Sequence, residues 1–155
     1  MNKREVLILG QVLSNLDINA TNIKWQYAVI KNKKLLESEI KLIQSLRKEV
    51  EQMKVYESER VATCVQHCEK DANNQPIIEE NRYKVIDMDA FNKAMAELQE
   101  KYKEAFEEDG KIQAEFEKLL DEEVNIDLYK VKMEFVPNNL KSFEAEYLID
   151  KMIVE

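Results

Sequence analysis

Three side chains in this sequence have the types and spacing of a metal or redox site. Cys64, His67 and Cys68 stand at i, i+3 and i+4, which on a helix is one face. A structural zinc takes four ligands, usually from two separated pairs. His67 is the only histidine and these are the only two cysteines, so a fourth ligand would have to be Glu or Asp. The expected reading is two small semi-buried thiols and a surface His near a helix end, with no metal and no cofactor. The same lone His leaves Ser-His-Asp catalysis without an elbow motif.

Other candidate chemistry fails for equally definite reasons. Asp71-x-Asn73-x-Gln75 begins like a calcium loop, but the sixth and twelfth positions are Pro76 and Arg82 rather than Gly and Glu. Phosphate-cradling loops need glycines, and Gly10 and Gly110 are the only two. Carboxylates cluster at Glu107, Glu108 and Asp109 and at Asp121, Glu122 and Glu123. Acid–base catalysis needs two carboxyls whose environments separate their pKa values, and neighbouring acids on an exposed helix lack this. The expectation is therefore a protein that is not an enzyme. Glu97, Glu100, Glu104, Glu107 and Glu108 recur at helical spacing and form a candidate partner-binding stripe. Such a stripe could occupy a basic groove on another protein, as a nucleic-acid mimic would.

The elements that must carry these residues follow from composition and period. In 155 residues, 45% are hydrophobic and 35% charged, and Gly and Pro total four. So few turn formers point to a mainly α chain (α+β), expected as one elongated domain over residues 1–155. Charge is segregated: residues 1–56 hold ten basic and six acidic residues, a net of +4, and residues 57–155 hold thirteen and twenty-five, a net of −12. The acidic part would repel phosphate backbones, so no direct nucleic-acid contact is expected. No run of eighteen apolar residues marks a membrane span. Lys3 and Arg4 precede the apolar Val6 to Leu9, but Gln11 interrupts and no cleavage pattern follows, so a leader is not expected. Two cysteines support no disulfide framework, and cytoplasm is the default compartment.

The first region, 1–70, reads as helices. Val6, Leu9, Leu13 and Leu16 give a short one; Thr21 or Asn22 caps the next. From Ile23 to about Lys70 no Gly or Pro interrupts, and Ile23, Tyr27, Ile30, Leu36, Ile40 and Ile43 step by three, four and six. Straight, such a helix would reach about 70 Å; the expectation is a bend near Lys31 to Lys34, or projection. Trp25 and Tyr27 read as core aromatics. Region 71–88 reads as a hairpin turning at Glu80-Asn81, with Asp87 or Asp89 capping a second long helix over 89–123. Its seam of Phe91, Met95, Leu98, Tyr102, Phe116 and Leu119 keeps coiled-coil spacing, with a kink expected at Gly110. This seam is the candidate self-association surface, and a homo-oligomer is expected. In 124–155, alternation from Ile126 to Phe135 reads as a strand with a bulge, and Phe143 to Met152 as a closing helix. The sum is a long antiparallel helical hairpin with a small β element.

Four stretches together carry a resemblance. They are Tyr27-Ala28-Val29-Ile30-Lys31-Asn32-Lys33, Lys70-Asp71-Ala72-Asn73-Asn74, Asp89-Ala90-Phe91-Asn92-Lys93, and Leu119-Leu120-Asp121-Glu122-Glu123-Val124-Asn125-Ile126. Their order over about residues 16–153 resembles a family of small tailed-phage proteins, a domain family of unknown function. The resemblance implies a phage or prophage origin and expression in a bacterial cytoplasm, and no activity. The function expected is a non-enzymatic phage interaction module, self-associating, in a structural or assembly role. The alternative is an acidic phage inhibitor of a host defence protein that occludes a basic nucleic-acid-binding groove.

Overall fold

The computed structural model describes residues 1–19 and 21–155. The chain is mainly helical with small β elements. In order they are α1 (Lys3–Asn15), α2 (Ile23–Leu46), α3 (Glu51–His67), β1 (Ile78–Glu79), β2 (Arg82–Tyr83), α4 (Met88–Lys101), α5 (Lys103–Asp121), β3 (Val131–Lys132), a 3-10 turn (Met133–Phe135), α6 (Ser142–Leu148) and β4 (Ile153–Val154). They pack as two compact units: unit 1 is Met1–Arg47 with Glu115–Glu155, and unit 2 is Lys48–Ala114.

Unit 1 is built on α1 and α2. Val6, Leu9 and Leu13 of α1 and Trp25, Val29, Leu36 and Ile43 of α2 are buried in one core. Leu128, Val131, Leu148, Met152 and Ile153 return from the far end of the chain to complete it. Asn2 begins α1 with a reciprocal cap: its Oδ1 accepts the Glu5 N–H at 2.8 Å, and Glu5 Oε2 accepts the Asn2 N–H at 3.0 Å. Arg4 then reaches Glu117 at 2.7 Å and Asp121 at 3.1 Å, tying α1 to the last turns of α5. Asn22 caps α2 by accepting the Lys24 N–H at 2.8 Å. β3 and β4 pair in parallel, Val131 opposite Ile153.

Unit 2 is an antiparallel pair of α3 and α4 joined by the hairpin. Tyr56 meets Tyr102, Glu59 meets Lys101 and His67 meets Phe91, so the two helices run in opposite senses. Its smaller core gathers Val50, Tyr56, Leu98, Tyr102 and Ala105. β1 and β2 pair antiparallel through Glu80 and Asn81, whose φ values of 49° and 64° make the turn that suits strand twist. Asp87 caps α4 by accepting the N–H groups of Asp89 and Ala90, each at 3.0 Å.

Several expectations from periodicity are corrected. No single helix runs from Ile23 to Lys70. The backbone is extended at Arg47 (ψ 106°) and Val50 (ψ 115°), far from the Lys31–Lys34 stretch, and Val50 is buried beside Tyr56. Burying Val50 outweighs the helix propensity of a segment without Gly or Pro. The second long helix breaks at Tyr102, not at Gly110. The Tyr102 N–H is shared between the carbonyls of Leu98 and Gln99 at 3.3 and 3.2 Å, while Gly110 lies inside α5 with open space where a Cβ would stand. Between Ile126 and Phe135 only Val131–Lys132 is strand; the rest is irregular backbone and a 3-10 turn. The closing helix stops at Leu148, and Ile153–Val154 becomes β4. Finally, α2 buries Trp25, Ala28, Asn32 and Leu36, so Ile23, Tyr27 and Ile30 face solvent instead of the core.

Candidate interaction surfaces

The three residues with metal-like spacing sit together at the C-terminal end of α3. α3 carries Cys64 into a buried position, and Cys68 at its C-terminal cap is also buried. Both thiols are free, and Cys68 Sγ donates to the Val65 carbonyl at 3.3 Å. The His67 ring is half-buried and lies edge-on to Phe91 at 6.0 Å. Among the described residues no three His, Cys, Asp or Glu side chains converge as a metal cage. The Asp71 carboxylate is occupied locally. Its Oδ1 accepts the Asn73 N–H at 2.8 Å and the Gln75 N–H at 2.9 Å, and Asn74 adopts a φ of 62°. This is a turn held by its own Asp.

α4 and α5 present Glu97, Glu100, Glu104, Glu107 and Glu108 to solvent. Glu100 lies 4.0 Å from Lys103, and the other four make no ion pair among the described residues. The carboxylate next to this stripe behaves differently. Glu59 accepts from Lys101 Nζ at 2.7 and 2.9 Å, and that contact holds its carboxyl below the ordinary value. Lys101 is raised by the same pairing. What remains is four exposed glutamates without an ion pair among the described residues, with Glu100 set against Lys103 between them.

The seam residues are distributed over both units. Leu98 and Tyr102 are buried against Val50, Tyr56 and Ala105, and Met95 is half-buried on the same cluster. Phe91 is half-buried against His67. Phe116 packs on the unit 1 core, and Leu119 is half-buried. Four of the six residues read as one stripe thus serve two cores of the same chain, and Phe91 and Leu119 are half-buried outside both.

Two surfaces of unit 1 lie outside the expected site residues. The first is an outward helical face: Ile23, Tyr27 and Ile30 are 78%, 54% and 45% exposed at i, i+4 and i+7. Tyr27 stacks edge-on with Tyr129 at 5.2 Å. The second is a groove between α1 and α2, with about 520 Å³ in its first compartment, passing over Gly10 and Ile40. A glycine inside an apolar helix was the signal for it, since such a residue usually marks close packing.

No family model, curated protein or solved structure matches the chain.

Proposed function

We propose that the chain is a non-enzymatic protein interaction module of phage type, self-associating and serving a structural or assembly role. The observation that carries this reading is the outward face of α2. Ile23, Tyr27 and Ile30 repeat at the spacing of a helix that packs on another helix, yet they stand in solvent. Each unit has its own core, so this face is surplus to folding the chain. Covering it with a second copy removes exposed apolar area worth roughly 25 cal/mol per Å². The resemblance to small tailed-phage proteins supports a place in a bacterial cytoplasm or an assembled virion. Light scattering after gel filtration tests the reading: a dimer or larger is expected, converted to monomer by Ile23→Asp with Tyr27→Asp. A wild-type protein that stays monomeric at high concentration overturns it.

The acidic stripe favours a second reading, an inhibitor of a host defence protein that occludes a basic nucleic-acid-binding groove. Five exposed glutamates would accelerate encounter with such a groove, and salt would weaken it. Here a pull-down from host lysate recovers one basic, nucleic-acid-handling protein. Glu104→Lys, Glu107→Lys and Glu108→Lys together abolish the capture; unchanged capture would sink this reading.

A further inference from the structure

The groove of unit 1 has the size, lining and charge of a docking site. Its two compartments, of about 520 and 460 Å³, share Gly10, Ser14, Ile40 and Gln44 and so adjoin one another. It follows α2 from Val29 to Arg47, about 27 Å at 1.5 Å per residue. Leu13, Leu16 and Val29 make one end apolar; Leu7, Ile43 and Phe116 do the same at the other. At Gly10 α1 comes close to Ile40; a Cβ at that position would collide with Ile40 Cδ1.

The rim decides what chemistry fits. Lys33, Lys34, Lys41 and Arg47 line it against a single acid, Glu37, which already pairs with Lys41. Lys33, Lys34 and Arg47 make no ion pair among the described residues. The cations lie six to eight residues apart along α2, so they recur about every 10 Å, two helical turns.

We propose that this groove docks an acidic amphipathic helix of another protein. The helix lays its apolar face on the floor and sets carboxylates, two turns apart, against Lys33/Lys34, Lys41 and Arg47. The repeated cations argue against a single-headed amphiphile, which would use one of them. The chain's own acidic stripe is a poor occupant, because between Glu97 and Glu108 Phe106 is the one exposed large apolar side chain among the described residues. It cannot cover an apolar floor of this length. The site is apart from the glutamate stripe, and it meets the outward face of α2 at Ile30, which lines its apolar end, while Ile23 and Tyr27 lie outside it.

The test is selection from a displayed library of helical peptides of about 20 residues, long enough to span the groove, on the full-length protein. Enriched peptides are expected to carry an apolar face flanked by Asp or Glu at two-turn spacing. They should bind about tenfold more weakly to the Lys33→Glu/Lys34→Glu variant, and more weakly as salt rises from about 0.05 to 0.5 M. Lys33→Ala/Lys34→Ala, with circular dichroism as the folding control, should show a smaller loss in the same direction. The proposal is overturned if no peptide is enriched, if enriched peptides lack the acids, or if both variants bind them like wild type. Displacement of the peptides by dodecanoate at comparable affinity would assign the groove to an amphiphile instead. A change in the wild-type oligomer mass caused by the Lys33/Lys34 variants would assign it to a second copy.

Discussion

Asn32 holds the backbone of Tyr129 from both sides: its Nδ2 donates to the Tyr129 carbonyl at 2.9 Å, and its Oδ1 accepts the Tyr129 N–H at 2.7 Å. The carboxamide thus satisfies both backbone groups of one residue in the irregular segment that leads into β3. Asn32 is fully buried, and its Nδ2 also lies 3.5 Å from Met152 Sδ. Only an amide supplies both donor and acceptor in this geometry.

Asn32→Asp is therefore expected to be more damaging than Asn32→Ala. Alanine forfeits two hydrogen bonds and leaves Tyr129 groups unpaired, costing about 1–3 kcal/mol. Aspartate keeps the acceptor, but it turns the donor into a second oxygen facing a carbonyl and buries a charge. Urea titration followed by the fluorescence of Trp25, the sole tryptophan and wholly buried in unit 1, measures both. Equal midpoints for the two variants would contradict this account.

The two glycines separate conformational cost from packing. Gly110 is exposed inside α5 with no atom within 4 Å of the place a methyl would take, so Gly110→Ala should stabilise by about 1 kcal/mol. At Gly10 the same gain is opposed by the collision with Ile40 Cδ1. Gly10→Ala should fall short of Gly110→Ala in thermal melts followed by circular dichroism. A larger gain at Gly10 would show that Ile40 moves aside freely.

Unit 2 depends on one aromatic contact set. Tyr56 packs edge-on to Tyr102 at 5.7 Å and to Phe106 at 4.7 Å. Tyr56→Ala should cost about 3–5 kcal/mol, and Tyr56→Phe little, since the ring and not the hydroxyl carries the contact. Amide hydrogen exchange should show lost protection in α3 and α4 for the alanine variant alone.

Glu5 gives a pH signature. The Lys151 ammonium at 2.8 Å, and then the Asn2 N–H, hold its carboxyl below the ordinary value of 4.5. A carboxylate depressed by folding stabilises the folded chain fully above its unfolded value, and loses that contribution as pH falls through the folded value. Wild type should therefore exceed Glu5→Gln in stability at neutral pH, and the gap should close as pH drops from 4.5 through the depressed value. A gap that persists or widens in acid would refute the assignment.

Local chemistry was the legible part of this fold. Glu80-Asn81 announced a hairpin because Asn tolerates positive φ, and Asn22 and Asp87 announced helix starts because their short side chains reach backbone N–H groups. What escaped was decided by distant partners. α2 carries apolar residues on more than one face, and period alone does not say which face residues 124–154 and α1 will cover. Trp25 and Leu36 won, leaving Ile23 and Tyr27 outside. The breaks at Val50 and Tyr102 likewise come from buried side chains in unit 2, with no Gly or Pro to mark them. Of the candidate surfaces, the glutamate stripe was readable as spacing, whereas the groove needed the closeness of Gly10 and Ile40, thirty residues apart in sequence.

Unit 1 is interrupted by unit 2, and this orders events on the ribosome. Residues 48–114 are contiguous, so α3, the hairpin and α4 can close as soon as they emerge. α1 and α2 are made first, yet Leu128, Val131, Leu148, Met152 and Ile153 arrive last. Until then the α1–α2 pair carries a bare apolar underside through most of synthesis. Chains stalled just after Ala114 has left the exit tunnel should protect α3 and α4 from protease while Trp25 still reports a wet environment. Protection of Trp25 at that stage would mean that α1 and α2 need no later partner.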